Sequence, residues 1–219
     1  MQNKLVRQFQ PEDRSAVREI CYLTGYLGES AEYYWKDRES FSDMWSGYYT
    51  DKEPESCFVA EVDGKVVGYS LGCFDSRNAW NPASVGTRHA LLRGLIFTKG
   101  TGPAMWRTLF DVSSDLVLRR KLPMKPFMDS RWPSHLHIDI LEDGRKLGLG
   151  KELINNIRDR FKTMGSPGLH LETVLENRNA VAFFKAMGFE VYKEPETLPG
   201  IRAKDGTRLH GLVMTMDLK

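Results

Sequence analysis

The chain lacks the features of a membrane protein or a secreted precursor. None of its 219 residues falls in an apolar run long enough to cross a bilayer. Residues 1–7 lack the apolar core of a secretory signal. The net charge is only +2, and the isoelectric point of about 8.4 lies below the roughly 9 of typical nucleic-acid-binding domains. These deficits predict a cytoplasmic protein that binds neither membrane nor nucleic acid.

Cysteine is scarce, and its pattern predicts neither disulfide bonds nor a metal site. Cys21, Cys57 and Cys73 are odd in number, far apart and without metal-ligand spacing. His135 and His137 could begin a zinc site, but no further ligands cluster near them. The sequence therefore predicts reduced, buried thiols and no metal.

Charge of one sign is concentrated in a single segment. Residues 77–131 contain ten Lys or Arg and three Asp or Glu, a local balance of +7. Such a run is most simply a solvated face, although it could meet an anionic cofactor or an acidic partner. Helical pattern in this region, over residues 90–97 and 104–122, predicts an insertion at about 77–133 within one domain spanning 1–219.

The rest of the chain has the composition and patterns of a globular α/β domain. Residues 5–9 read as a strand, and Pro11 opens a helix that ends near Gly25. Strands at 57–62 and 65–74 flank Asp63-Gly64, the pair that a type I′ hairpin turn requires. Later segments follow the order strand, helix, strand, helix, which implies a parallel central pair. A final hairpin is predicted from strands 190–194 and 208–218 around a polar loop.

The turn at residues 145–151 has the features of a phosphate-binding site. It follows the alternating strand 135–140 and precedes a helix whose first amides have no internal partner. Gly148 and Gly150 would let an anion approach the backbone, and Arg145, Lys146 and Lys151 add positive charge. The alternative is an ordinary strand–helix turn whose glycines only ease packing.

Two motifs in the C-terminal half resemble those of the GNAT acetyltransferase superfamily. Arg145-x-x-Gly148-x-Gly150 is similar to the family's first motif, and residues 172–189, with Asn177, Ala180, an aromatic pair and Gly188-Phe189, resemble the second. The resemblance implies a mixed, mostly antiparallel sheet with a splayed parallel strand pair, flanked by helices, and a helical insertion before the cofactor strand. It also implies acetyl transfer from acetyl-CoA to a primary amine of a small molecule or protein.

The same resemblance assigns roles to individual residues. Main-chain groups of Ile138, Asp139 and Ile140 would hold the pantetheine arm, and an amide near Ile140 would polarise the thioester carbonyl. Asn177 would contact the cofactor, with a helix-capping role as the alternative. The pyrophosphate would lie on Arg145, Lys146, Leu147, Gly148, Leu149, Gly150 and Lys151.

Glu172 is the candidate catalytic residue. It lies five residues before Asn177, as does the proton acceptor of ribosomal-protein N-terminal acetyltransferases in the family. An amine must lose a proton before it attacks a thioester, and a carboxylate can take that proton. Strand alternation places His170 with Glu172 on one face and His137 with Asp139 on another, and the two faces could converge. A solvated or hydrogen-bonded carboxylate is the alternative reading of Glu172.

One position departs from the family pattern. Phe184, in the expected cofactor site, stands where many members carry the Tyr that protonates the leaving thiolate, and Phe184 cannot donate a proton. Segments 21–30 and 132–139 are also similar to the acetyltransferase-like domains related to those of O-GlcNAc hydrolases. Both features support the alternative that the chain is a catalytically weak or inactive pseudo-acetyltransferase that binds acyl-CoA or a protein.

The residues that would bind the amine acceptor are less well defined by the sequence. By analogy with the family, Tyr26, Glu29 and Tyr33 are candidate substrate contacts, although a packing role between helices is the alternative for each. The type of amine is left open by the sequence, and a homodimer is compatible with it.

Overall fold

The computed structural model describes residues 2–118, 120 and 126–218. Their core is an eight-stranded sheet of order β1-β2-β3-β4-β5-β8-β6, with β7 pairing onto β8. Only the β4–β5 pair is parallel among these strands. The strands are β1 (Lys4–Gln8), β2 (Cys57–Val62), β3 (Lys65–Cys73), β4 (Ser134–Ile140), β5 (Gly168–Val174), β6 (Glu190–Val191), β7 (Glu196–Arg202) and β8 (Arg208–Asp217). This is the predicted mixed sheet with one parallel pair.

Helices cover both faces of the sheet. They are α1 (Arg14–Thr24), α2 (Arg38–Ser42), α3 (Tyr48–Lys52), α4 (Pro82–Arg93), α5 (Gly102–Leu118), α6 (Leu149–Thr163) and α7 (Arg178–Ala186), with a π-helical segment, Asp43–Gly47, between α2 and α3. In the described part of the chain, no helix is long and apolar enough to cross a membrane.

The helix that follows the glycine turn packs directly on the centre of the sheet. Its buried stripe comprises Leu149, Leu153, Ile154, Ile157 and Phe161. Gly72 in β3 allows this approach, because a Cβ there would lie 2.6 Å from Cζ of Phe161. On the same side, Leu136 of β4 and Leu171 of β5 join the core. Thus α6 rests on β1 to β4, and its inner residues belong to the same core cluster as those of β5.

A second core lies on the opposite face of the sheet. It contains Val17 and Ile20 of α1, Tyr69 and Leu71 of β3, and all three cysteines. The thiols of Cys21, Cys57 and Cys73 are free and buried, as predicted. Burial raises the pKa of each, that of Cys57 to about 12. These thiols therefore act as packing groups rather than as nucleophiles.

Two element predictions need correction. Helix α4 begins at Pro82, earlier than predicted, because Asn81 caps it through a 2.9 Å hydrogen bond from the Ala83 amide. It ends at Arg93, before Gly94 in a left-handed conformation, so residues 90–97 are not one helix. Helix α5 begins at Gly102, and the predicted helical residues 119, 121 and 122 lie outside the described part.

The C-terminal hairpin is confirmed in part, because strands at 190–191 and 208–217 pair antiparallel as predicted. Strand β6 is only two residues long, and the expected polar loop instead contains β7, which pairs with β8 through an irregular register between Thr197 and Arg202. Pro199 is tolerated at that irregularity, since it need not donate to a ladder. The amide of Gly200 donates to Asp111 of α5 at 2.8 Å. The long-range contact with α5 therefore stabilises a strand that its own sequence does not favour.

Candidate active site

The parallel pair at the centre of the sheet opens into a cleft. Strands β4 and β5 pair at Ser134–Leu169 and His135–His170, and no later residue of either strand pairs across this edge in the described structure. Strand β4 nevertheless remains paired with β3 as far as Ile140. Alternate residues of an edge strand direct their N–H and C=O groups away from the partner. Residues 136–140 can therefore offer main-chain hydrogen bonds to a molecule between the strands.

The turn at the open end of this cleft presents unpaired amides. The amides of Lys151 and Glu152 both donate to the carbonyl of Gly148 as α6 begins. For the five preceding amides, of residues 146–150, we find no hydrogen-bond acceptor within the described residues. A helix N-terminus with free N–H groups attracts anions through both hydrogen bonding and the helix dipole. This arrangement fits a phosphate group.

The two glycines of the turn have different physical roles. Gly148 has φ +86°, a left-handed conformation, and no neighbouring atom of the described residues lies within 4 Å of where its Cβ would be. A Cβ at Gly150 would lie 3.1 Å from Cζ of Phe183 and 3.3 Å from Cδ1 of Ile140. Gly148 thus shapes the turn and leaves open space above it, whereas Gly150 allows close packing of α6 against its neighbours.

The basic side chains of the turn are not equivalent. Arg145 donates from Nε to the carbonyl of Ile140 at 3.0 Å and from a terminal nitrogen to the carbonyl of Gly28 at 2.8 Å. It therefore ties the loop after α1 to the end of β4. Lys146, with φ +61°, and Lys151 are exposed. These two lysines are better placed than Arg145 to meet a mobile anion.

Polar side chains of β4 and β5 share the face opposite α6, as the alternation predicts. The rings of His135 and His170 lie 5.4 Å apart. Further along β4, His137 lies beside Trp45, with ring centroids 5.8 Å apart, and Asp139 accepts a 2.6 Å hydrogen bond from the Tyr69 hydroxyl. No three His, Cys, Asp or Glu side chains of the described residues are arranged to hold a metal ion.

Both histidines at the closed end of the cleft are held neutral. Burial lowers the pKa of His135 to about 3 and that of His170 to about 4, below their ordinary 6.5. His135 hydrogen-bonds Tyr49 and Ser76, and His170 bonds the carbonyl of Trp132 at 2.7 Å. These contacts support the structural reading of the two side chains rather than an acid–base role near neutral pH.

Glu172 lies further along β5, where the strands have separated. Its side chain reaches solvent, yet protein atoms crowd the carboxyl. Desolvation raises its pKa above the ordinary 4.5, although the amide of Phe127 donates to the carboxyl at 3.3 Å and opposes the shift. A protonated His137 would lower the pKa of Glu172, as expected if the two strand faces converge. A carboxylate with a raised pKa is suited to accepting a proton.

The two candidates from the second motif have structural roles. Asn177 caps α7, since its side chain accepts a 3.3 Å hydrogen bond from the amide of Ala180. Phe184 is only 7% exposed and packs with Phe183 and Phe189. The capping alternative for Asn177 is confirmed, and cofactor contacts of Asn177 and Phe184 stay predictions.

The three candidate contacts for the acetyl acceptor, Tyr26, Glu29 and Tyr33, all bind the neighbouring β7–β8 hairpin. The hydroxyls of Tyr26 and Tyr33 donate to the carbonyls of Arg202 and Ala203, at 3.0 and 3.4 Å, and Glu29 pairs with Lys204 at 2.8 Å. The tyrosine rings lie 4.7 Å apart. The loop that carries them is the one that Arg145 holds, so these contacts lie beside the open end of the cleft.

The sequence did not indicate several residues that complete this site. Phe127 contacts Glu172 from the segment between α5 and β4, and residues 202–204 approach Tyr26 from β7 and the following loop. Leu27 and Gly28 both have positive φ, 54° and 86°, in the tight turn between Tyr26 and Glu29. Leu27 carries no sequence signal for that conformation, because left-handed backbone normally selects Gly or Asn.

Comparison with known proteins agrees with this geometry. Residues 125–189, which include the glycine turn and both central strands of the cleft from β4 to β5, match the model of the acetyltransferase (GNAT) family. The structure of SsHAT superposes with a TM-score of 0.64 at 23% identity, covering 99% of both chains. The family match covers this part of the chain, and the structural likeness shows a shared fold.

Other solved structures share this fold. YncA of Salmonella typhimurium, solved with its cofactor acetyl-CoA, gives a TM-score of 0.58 at 15% identity over 99% of this chain and 94% of its own. The ribosomal-protein-S18-alanine N-acetyltransferase of Escherichia coli gives 0.56 at 14% identity, over 99% and 95%. The matched proteins do not show the narrower similarity to domains related to those of O-GlcNAc hydrolases, which stays a prediction.

Proposed function

We propose that this chain is a single-domain N-acetyltransferase that transfers an acetyl group from acetyl-CoA to a primary amine. The observation that carries the proposal is the combination of an open edge on β4 with the unpaired amides of residues 146–150 at its end. An extended, anionic ligand needs such a continuous track of main-chain donors. Acetyl-CoA would supply the thioester whose carbonyl carbon the amine attacks.

The residues of the cleft suit that ligand. The amides of residues 146–150 would bind the pyrophosphate, with Lys146 and Lys151 adjacent, and Gly148 leaves space for it. Main-chain groups of residues 138–140 would hold the pantetheine arm. The carbonyl of Ile140 already accepts from Arg145, so the donors on this strand are the more available groups.

Glu172 would act as the general base. Its carboxylate takes a proton from the ammonium form of the acceptor, directly or through water, so that the nitrogen lone pair can form the new C–N bond. The C–S bond then breaks, the thiolate leaves with the electron pair of that bond, and the nitrogen releases its second proton to water as the neutral amide forms. Phe184 cannot donate a proton to it, but a thiol with a pKa near ~8.5 departs without much assistance.

A melting experiment tests the binding step. At about a hundredfold excess over its dissociation constant, acetyl-CoA should stabilise the folded chain by ~2.7 kcal/mol. For a chain of this size, that corresponds to a rise in melting temperature of about 5–10 °C. An unchanged melting temperature would contradict the proposal.

The glycine turn offers a matched pair of variants for the same experiment. Gly148→Asp should abolish the acetyl-CoA shift, because its carboxylate would occupy the anion site. Gly165→Asp is the control, since Gly165 lies after the other end of α6 with the same left-handed backbone (φ +85° against +86°) and equally open space around its Cβ position. Both variants bear the same strain, so only the first should lose the ligand response. Equal responses would place the site elsewhere.

A further inference from the structure

Helix α5 of the insertion exposes its apolar side. Trp106, Leu109, Phe110, Leu116 and Val117 are each 49–72% exposed, and Ser113 lies exposed among them. We call these six residues the α5 stripe. Large contiguous apolar patches are uncommon on soluble monomers and usually mark an interaction surface.

The opposite side of α5 is polar and is locked against the sheet. Asp111 is 3% exposed, accepts from the amide of Gly200 at 2.8 Å and pairs with Arg202 at 2.5 Å. One turn later, Asp115 pairs with Arg208 at 2.6 Å. Rotating α5 to bury its apolar side would break these ion pairs. The helix is therefore held with its hydrophobic residues outward.

We propose that the α5 stripe pairs with the same stripe of a second copy of this chain. Trp106, Phe110, Ser113 and Val117 are spaced by four, three and four residues, which is the pattern of two helices packed at a shallow angle. The five apolar side chains of the stripe expose roughly 600 Å² on each copy, most of the about 800 Å² that each partner buries in a stable complex.

The stripe is also complementary to itself in shape. In an antiparallel pair of α5 helices related by a two-fold axis near residues 111 and 112, Trp106 of one copy faces Val117 of the other, and Phe110 faces Ser113. Each pair thus sets a large side chain against a small one. The two carboxylates of α5 that could repel each other are paired inside each copy.

A lipid surface fits the same stripe less well. A helix that lies on a membrane turns a charged face to water, whereas the polar face of α5 is turned to β7 and β8 of its own chain. Arg107 is the exposed cation adjoining the stripe within residues 102–118. The apolar pattern therefore favours a helix as its partner.

Light scattering during size-exclusion chromatography tests the proposal on the full chain. The unmodified protein should elute at about twice 25.1 kDa, and Phe110→Asp should elute at about 25.1 kDa. Met164→Asp is the control, because Met164 is an exposed apolar residue (40%) just beyond α6, outside the stripe. It should remain a dimer.

Chemical cross-linking provides an independent test if Phe110→Asp fails to fold. The three native thiols are buried, so Ser113→Cys introduces one accessible thiol per chain. A short bis-maleimide should then link two copies of this variant but not of the unmodified chain. A monomer at every concentration, a dimer that persists in folded Phe110→Asp, or no cross-linking would each overturn the proposal. If the chain is monomeric, sedimentation with phosphatidylserine vesicles would show whether a membrane occupies the stripe instead.

Discussion

At the scale of single residues, the environment of Glu172 decides whether it can work as a base. A fully solvated carboxylate has a low pKa and is a weak proton acceptor, whereas a desolvated one binds a proton more strongly. Glu172 is crowded by protein but still reaches solvent, and its pKa is raised by desolvation. That combination allows both proton uptake and release to water.

Replacing Glu172 by Gln should lower acetyl transfer about 10²–10⁴-fold, the usual contribution of general acid–base catalysis. The shift of the melting temperature with acetyl-CoA should be unchanged, because Glu172 is on β5 and the proposed anion site is the turn at 146–150. Thiol release from acetyl-CoA across a panel of amines, corrected for release without acceptor, measures the rate. Glu190→Gln, on an exposed strand, is the control and should be as active as the unmodified chain. Equal activity of Glu172→Gln would remove Glu172 from the mechanism.

The same residue predicts the pH dependence. The base works only when deprotonated, so kcat/KM should rise with pH through the pKa of Glu172. Since desolvation raises that pKa, the rise of kcat/KM should be centred above pH 4.5, the ordinary value for a glutamate. The residual kcat/KM of Glu172→Gln should not show this rise with pH.

Residue-level prediction from sequence succeeded where local periodicity determines the outcome. Alternation correctly placed His137 with Asp139 and His170 with Glu172 on their strand faces, because side chains of a strand alternate strictly. It could not indicate that Phe127 donates to Glu172 or that Arg145 binds Gly28, residues 45 and 117 positions apart along the chain. Such contacts depend on how distant segments pack.

At the scale of elements, helix α6 is determined by its local sequence, whereas strand β7 depends on contacts with a distant segment. Helix α6 follows from its own apolar stripe and the glycine turn before it, so its existence could be predicted from sequence. Strand β7 contains Pro199 and Gly200 and was expected to be a loop. It forms because α5, nearly a hundred residues earlier, supplies Asp111 to the amide of Gly200 and to Arg202.

Asp111→Asn should therefore destabilise the chain by about 3 kcal/mol, since removing one partner of a buried ion pair leaves the other charge uncompensated. Urea unfolding at neutral pH measures this loss. Asp159→Asn is the control, because Asp159 pairs with Arg158 at the surface with 67% of its side chain exposed. Surface pairs contribute about 0–1 kcal/mol. A cost for Asp111→Asn no larger than that of the control would mean that β7 does not need α5.

The cost of Asp111→Asn should depend on pH. Burial alone would raise the pKa of Asp111, but the hydrogen bonds from Arg202 and Gly200 together outweigh it and lower the pKa below 3.8. A carboxyl with a depressed pKa stabilises the fold above its unfolded pKa and loses that effect as pH falls through the folded value. The difference in stability between the two chains should thus be constant above about pH 5 and shrink below pH 3.8.

At the scale of the whole molecule, the sheet consists of two parts joined by the short pairing of β4 with β5. Strands β1 to β4 pair along most of their length, as do β5 and β8, but β4 and β5 share two residue pairs within the described structure. Helix α6 packs on β1 to β4 of the first part, and its residues Ile154, Ile157 and Phe161 share a core cluster with Leu169 and Leu171 of β5. A ligand bound along the cleft and at the start of α6 would therefore contact the junction of the two parts.

The cysteines can report whether this junction couples the two parts. All three lie in the core of the first part, where burial raises their pKa values, so a thiol reagent at pH 8 should label them only after unfolding. If the thiols are exposed by global unfolding, acetyl-CoA at about a hundredfold excess over its dissociation constant should slow labelling about a hundredfold, because it reduces the unfolded fraction by that factor. Gly148→Asp should show no such slowing. If the melting temperature of the unmodified chain rises with acetyl-CoA while its labelling rate does not change, the core around the cysteines opens by itself, as a local unfolding unit that the ligand does not stabilise.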